Sequence, residues 1–164
     1  MAESATISEL VVRMGELAVS TTAGDVMVCV GLGSCIGLAL IANNGGACGL
    51  AHVMLPESCG RPDENDGKFA DRAVPALVEA LARLGARTRT LEAILVGGAQ
   101  MFAGATGMEI GARNEAAVRA ALSAIGIPVR GAATAGSTGR TIRVHVGEGR
   151  VTARDAGSVE VSLR

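Results

Sequence analysis

The alternation of apolar and polar positions makes the first half of the chain a succession of strands. "ELVVRMGELAV" (Glu9 to Val19) and "DVMVCV" (Asp25 to Val30) are short, β-branched and bounded by Gly, Thr and Asp. "CIGLALIA" and "ACGLAHVML" flank "NNGG" (Asn43 to Gly46), the strongest hairpin signal in the chain. A polar stretch with Gly and Pro, Glu57 to Lys68, predicts a surface loop.

The period then changes. Phe69, Val74, Leu77, Val78, Leu81 and Leu84 recur at three- and four-residue steps and predict a helix with one apolar stripe. Pro75 removes a hydrogen bond inside it and predicts a kink or a late start. "LEAILVGGA" has the form of a buried strand ending in a glycine turn. Asn114 is placed to cap a second helix, "EAAVRAALSAIG", ended by Gly126 and Pro128. "PVRGAATAG", "TIRVHV", "RVTAR" and "SVEVSL" are four further strands. Runs of strands with two helices between them predict an α+β or layered α/β domain with a mixed sheet.

Length makes one domain, residues 1–164, the simplest organisation, enough to bury roughly 70% of the extended-chain surface. Apolar residues are 49% of the chain, yet only Phe69 and Phe102 are aromatic, so Ala, Val, Leu, Ile and Met must build the core. A net charge of −1 provides no general attraction for phosphate backbones, and the chain lacks the rings on which bases stack. Nucleic acid is therefore not an expected partner. The first twenty residues carry early acids and no basic segment before an apolar run, which argues against a signal peptide. No stretch of about 18 uncharged apolar residues exists, so membrane insertion is not expected and the predicted location is the cytoplasm. Reduced thiols are the expectation there. Cys29, Cys35, Cys48 and Cys59 contain no C-x-x-C pair, and no metal site is predicted.

The chemistry of interest lies in "VGLGSCIGLALIANNGGACGLAHVMLP", Val30 to Pro56, where Cys35 follows a glycine-rich turn and His52 is one of two histidines in the chain. A two-residue turn at Asn43-Asn44 would set Cys35 opposite His52. A turn at Asn44-Gly45, or a four-residue loop, would set His52 opposite Gly37, diagonal to Cys35. Either even-length loop puts both side chains on one face. An imidazole beside a thiol can accept its proton and hold a thiolate–imidazolium pair. Gly31-Leu32-Gly33-Ser34 can bend tightly and present N–H groups to an oxyanion. Against this, a cysteine in an apolar strand is ordinarily core filling. Cys48, in a strand, and Cys59, in a loop, read as ordinary residues, and His145 in alternating "TIRVHV" reads as a strand residue.

Six pieces of the chain resemble one family, the chemoreceptor glutamine deamidases CheD. They are "GLGSCIGLAL" (Gly31 to Leu40), "GLAHVMLP" (Gly49 to Pro56), "KFADRAVPALVEAL" (Lys68 to Leu81), "GGAQMF" (Gly97 to Phe102), "IGARNEAAV" (Ile110 to Val118) and "GSTGRTIRV" (Gly136 to Val144). They occur in the family's order and span nearly the whole chain.

The resemblance implies deamidation of selected glutamines on methyl-accepting chemotaxis receptors. Cys35 would be the nucleophile and His52 the base, with a thioester intermediate and no metal or organic cofactor. The N–H groups of Cys35 and of its Gly33-Ser34 approach would be oxyanion donors. The implied fold is an α/β sandwich like that of bacterial toxin deamidases. Similar proteins carry a threonine six residues before the nucleophile, orienting the histidine; here that position is Cys29. The expectation is that Cys29 acts through its backbone carbonyl, with a bulge needed to bring it onto the face of Cys35. The family also implies a second partner, the CheC phosphatase. The alternative readings are a docking module without turnover and an unrelated cysteine hydrolase of small amides.

Overall fold

The computed structural model describes residues 8–61, 65–101 and 109–164. Among the described residues, ten strands form two five-stranded sheets. The first sheet has the order β1 (Glu9–Val11), β3 (Val26–Leu32), β8 (Arg140–His145), β9 (Arg150–Asp155), β10 (Glu160–Ser162). The second has the order β2 (Leu17–Ser20), β5 (Cys48–Val53), β4 (Ile36–Ala42), β6 (Leu91–Gly97), β7 (Val129–Thr134). Each sheet is mixed, because β1 runs parallel to β3 and β6 parallel to β7, while the other pairs are antiparallel. Helices α1 (Ala70–Arg83) and α2 (Ile110–Ala124) pack on the second sheet. The layers are therefore helix, sheet, sheet, which is the expected α+β, layered α-β sandwich, with two stacked sheets where the sequence suggested one.

Strand β4 shows why the layers form in this order. All seven of its residues are buried, and its two faces serve different cores. Ile36, Leu38, Leu40 and Ala42 pack with α1 and α2. Ala39 and Ile41 pack with β3, β8 and β9 across the gap between sheets. An unbroken apolar run suits a strand covered on both sides. The stripe of α1 buries Ala73, Val74, Leu77 and Leu81 on the second sheet, at roughly 1.5–3 kcal/mol for each large aliphatic side chain. Pro75 lies on the exposed side, where water can satisfy the Asp71 carbonyl it frees, so the helix runs through it instead of starting late.

Three expectations need correction or completion. The segment from Glu9 to Val19 is not one strand but two, β1 and β2, in opposite sheets. It crosses between them at a turn in which Gly15 takes φ +80°. Asn114 is no cap, since α2 begins four residues earlier at Ile110 and places Asn114 on its buried side. The hairpin of β4 and β5 closes with a four-residue loop, Ala42 N–H donating to the Ala47 carbonyl at 2.9 Å. Phe102 lies outside the described residues.

Candidate active site

The hairpin register decides between the two predicted arrangements. Gly37 pairs with His52, so Cys35 is diagonal to the imidazole. Both belong to the face that looks toward the first sheet. On β4 that face carries Gly37, Ala39 and Ile41; on β5 it carries Cys48, Leu50 and His52. Cys35, half-buried, packs against the inter-sheet core at its rim, and His52 is 3% exposed.

The turn that presents Cys35 is held through its peptide oxygens. Ala99 N–H donates to the Gly33 carbonyl at 2.8 Å, and Gly98 N–H donates to the Cys35 carbonyl at 2.9 Å. Between them, Asn114 Nδ2 donates to the Ser34 carbonyl at 2.9 Å, and also to the Met54 carbonyl at 2.9 Å. Gly97, at φ +114°, lets the end of β6 lie directly on the Cys35 carbonyl, where a Cβ would overlap the oxygen. The glycine turn after "LEAILV" is therefore a contact surface for the Cys35 turn.

His52 is held by the crossing between the sheets. Its Nδ1 is 3.1 Å from the Val12 carbonyl. A carbonyl only accepts, so Nδ1 carries the proton and Nε2 of the neutral ring keeps its lone pair. Gly15 N–H donates to the His52 carbonyl and His52 N–H donates to the Glu16 carbonyl, each at 2.9 Å. The expected Cys29 carbonyl is thus replaced by that of Val12. The sequence hid this because it merged β1, the crossing and β2 into one strand.

Cys29 pairs with Ile142 of β8, is fully buried, and points into the inter-sheet core. The register of β3 slips between Cys29 and Leu32, a bulge just ahead of the Cys35 turn. Burial pushes the Cys29 thiol far above its ordinary value, and the nearby Cys35 sulfur adds to the shift. Burial also raises Cys35, offset in part by the dipole of its own backbone N–H. His52 is lowered by burial, against the opposing pull of the Val12 carbonyl and the Glu16 charge. Both shifts favour the uncharged forms, thiol and neutral imidazole. Cys48 is buried and pushed up to about 11, chiefly by burial. Cys59 is exposed.

Sequence reasoning missed Val12, Gly97 and Asn114. For Asn114 a signal existed: Gly111, Asn114, Val118 and Leu122 are the buried positions of α2. A carboxamide on that stripe is out of pattern once the helix is begun at Ile110. Among the described residues, no three or more His, Cys, Asp or Glu are grouped to hold a metal ion, and no helix is long and apolar enough to cross a membrane.

Comparison with known proteins gives this arrangement a context. Residues 54–155 match the family described as CheD chemotactic sensory transduction. That span begins just after His52 and includes neither Cys35 nor His52. The chain is 41% identical over 150 residues to the chemoreceptor glutamine deamidase CheD of Thermotoga maritima, covering 92% of this chain and 94% of that one. It is 36% identical to a probable chemoreceptor glutamine deamidase CheD of Haloarcula marismortui, covering 98% and 93%. A similarly described protein of Archaeoglobus fulgidus is 40% identical over 88% and 91%. A crystal structure of Neisseria meningitidis protein NMB0706 aligns with 80% of this chain and 64% of its own, at TM-score 0.47 and 12% identity, a likeness too slight to bear on function. Matched across its length by relatives at this identity, the chain belongs to the CheD family.

Proposed function

We propose that this protein is a chemoreceptor glutamine deamidase in which Cys35 is the nucleophile and His52 the general acid and base. The observation that carries the reading is the pairing of Gly37 with His52, which sets the imidazole diagonal to Cys35 with Nδ1 tied to the Val12 carbonyl. Nε2 is left as the acceptor for the thiol proton. An uncharged pair suits a buried site, because proton transfer can coincide with attack and a standing charge pair need not be desolvated.

The reaction then runs in two halves. The Cys35 sulfur bonds to the carboxamide carbon as its proton passes to His52, and the carbonyl oxygen becomes an oxyanion beside the Cys35 N–H. Collapse breaks the C–N bond, and His52 returns the proton to departing ammonia. His52 next takes a proton from water, the hydroxide adds to the thioester carbon, and glutamate leaves as the thiol is restored. Gly33 and Ser34 shape the approach to this N–H, and Ser34 N–H is the second donor. Cys29 keeps the smaller role of neutral packing beside the sulfur.

The site lies at the rim of the inter-sheet core, reachable by a side chain projecting from another protein. The substrate partner is thus the receptor, encountered in the cytoplasm; the CheC phosphatase is proposed as a second partner on the resemblance alone. Incubation with receptor cytoplasmic fragments should release ammonia and convert mapped glutamines to glutamate by mass spectrometry. Cys35→Ala should abolish this, His52→Ala should lose nearly as much, and the double variant should be within about threefold of the worse single, because the two act as a unit. Receptor binding without turnover by the parent would instead make the chain a docking module.

A further inference from the structure

Helix α2 sends one polar side chain, Asn114, onto its buried stripe, with no exposure. Its orientation follows from its partners. Both are carbonyl oxygens, and only the amide nitrogen can donate to them. Oδ1 is consequently buried with no hydrogen-bond partner among the described residues. A buried acceptor left unpaired is unfavourable, and such exceptions to full satisfaction concentrate where function requires them.

One of the two carbonyls explains the arrangement. The Ser34 C=O and the Cys35 N–H are opposite ends of a single planar trans peptide, so holding the oxygen aims the N–H the other way. The carbonyls on either side, of Gly33 and Cys35, accept from the Ala99 and Gly98 N–H groups. Covalent geometry keeps the Cys35 N–H close to its own sulfur, where its dipole favours the sulfur anion. The second carbonyl, Met54, follows the His52 strand by one residue, so one side chain joins the nucleophile turn to the strand carrying the base.

We propose that Asn114 is a positioning residue that, through the Ser34 carbonyl, aims the Cys35 N–H at the anion formed in the reaction. For the oxyanion the inference rests on the deamidase reading; for the sulfur anion it needs only the geometry. The two can therefore be tested apart. Alkylation of Cys35 by iodoacetamide, followed on its own peptide across pH, requires a thiolate but forms no oxyanion. In Asn114→Ala the midpoint of that profile should move to higher pH, while the rate on the alkaline plateau stays within about twofold, since displacement at sulfur is otherwise unchanged. Deamidation should lose kcat by roughly 10–100-fold with little change in KM, because outright removal of an oxyanion donor costs about 10²–10³. If the alanine variant melts too low to assay, Asn114→Ser, with one hydroxyl donor in place of two amide protons, is judged by the same criteria.

An alkylation midpoint equal to the parent's overturns the proposal. So does a moved midpoint with parental kcat, which would confine Asn114 to holding the fold. If the parent fails to deamidate receptor fragments, the deamidase reading falls, and the alkylation midpoint still decides whether Asn114 aims the N–H.

Discussion

Replacing Gly97 with alanine tests whether the Cys35 turn is positioned from behind. Gly97 takes φ +114°, and its built Cβ overlaps the Cys35 carbonyl oxygen and lies 3.3 Å from the carbonyl carbon. Two penalties follow. The backbone conformation is strained for an L-residue, at about 1–3 kcal/mol. The overlap forces the Cys35 turn away by about 1 Å to restore van der Waals separation, an overpacking penalty of about 1–3 kcal/mol. The summed destabilisation of about 2–6 kcal/mol should lower Tm by roughly 5–20 °C in a chain of this size. Displacing a reacting atom by about 1 Å costs on the order of 10²-fold in rate, or about 2.7 kcal/mol of barrier. Gly85 supplies the control: it takes φ +93° beyond the end of α1, and a Cβ there meets nothing within 4 Å. Gly85→Ala should lose stability through strain alone and keep its turnover. The assay is receptor-fragment deamidation for both variants, at temperatures well below their melting points. Parental kcat in Gly97→Ala, or an equal loss in Gly85→Ala, would refute the reasoning.

The remaining predictions concern charge and the other thiols. Because burial holds His52 below its ordinary 6.5, the acid limb of kcat/KM should lie below that value; a limb at or above it contradicts a buried neutral base. The same shift has a stability sign. Between 6.5 and the lower folded value the unfolded chain binds a proton that the folded chain does not, so the contribution is complete above 6.5 and is lost as pH falls. His52→Gln should accordingly melt with a weaker acid dependence than the parent between about pH 7.5 and about pH 5. Cys29→Thr should change turnover by less than about tenfold, or 1.4 kcal/mol, because the Val12 carbonyl already holds the imidazole; a larger gain would show that a hydroxyl is needed, and a large loss in Cys29→Ala would show a working thiol. Iodoacetamide near neutral pH should spare Cys29 and Cys48, both buried and raised, and label Cys35 together with exposed Cys59; labelling of Cys48 ahead of Cys35 contradicts the burial argument.

Much of the architecture is written locally. The stripe of α1, the buried run of β4 and the β4–β5 hairpin around "NNGG" are periodic features, and period reports which face an element buries. The even-length hairpin also brings Cys35 and His52 to one face, since strand side chains alternate strictly. The merged strand at Glu9 to Val19 failed because alternation does not reveal which sheet a strand joins. The crossing at Gly15 depends on two partners, β3 and β5, that are distant in sequence. Asn114 was misplaced for a related reason. Local capping preference favours a helix start there, but burial against β4 and two carbonyls 80 and 60 residues away decide otherwise.

By itself the sequence offered the candidate nucleophile and base, a common face for them if the hairpin loop is even in length, and the mixed α and β composition of the fold, because these depend on residue chemistry and on short-range periodicity. Only the tertiary structure decided how the pair is held. The Val12 carbonyl sets the tautomer of His52, Gly97 and Gly98 support the Cys35 turn, and Asn114 grips the Ser34 peptide. Backbone carbonyls and N–H groups are the same in every residue except for proline's missing N–H. Which of them meet is therefore settled by the packing of the two sheets and α2, and not by the side-chain letters that a sequence displays.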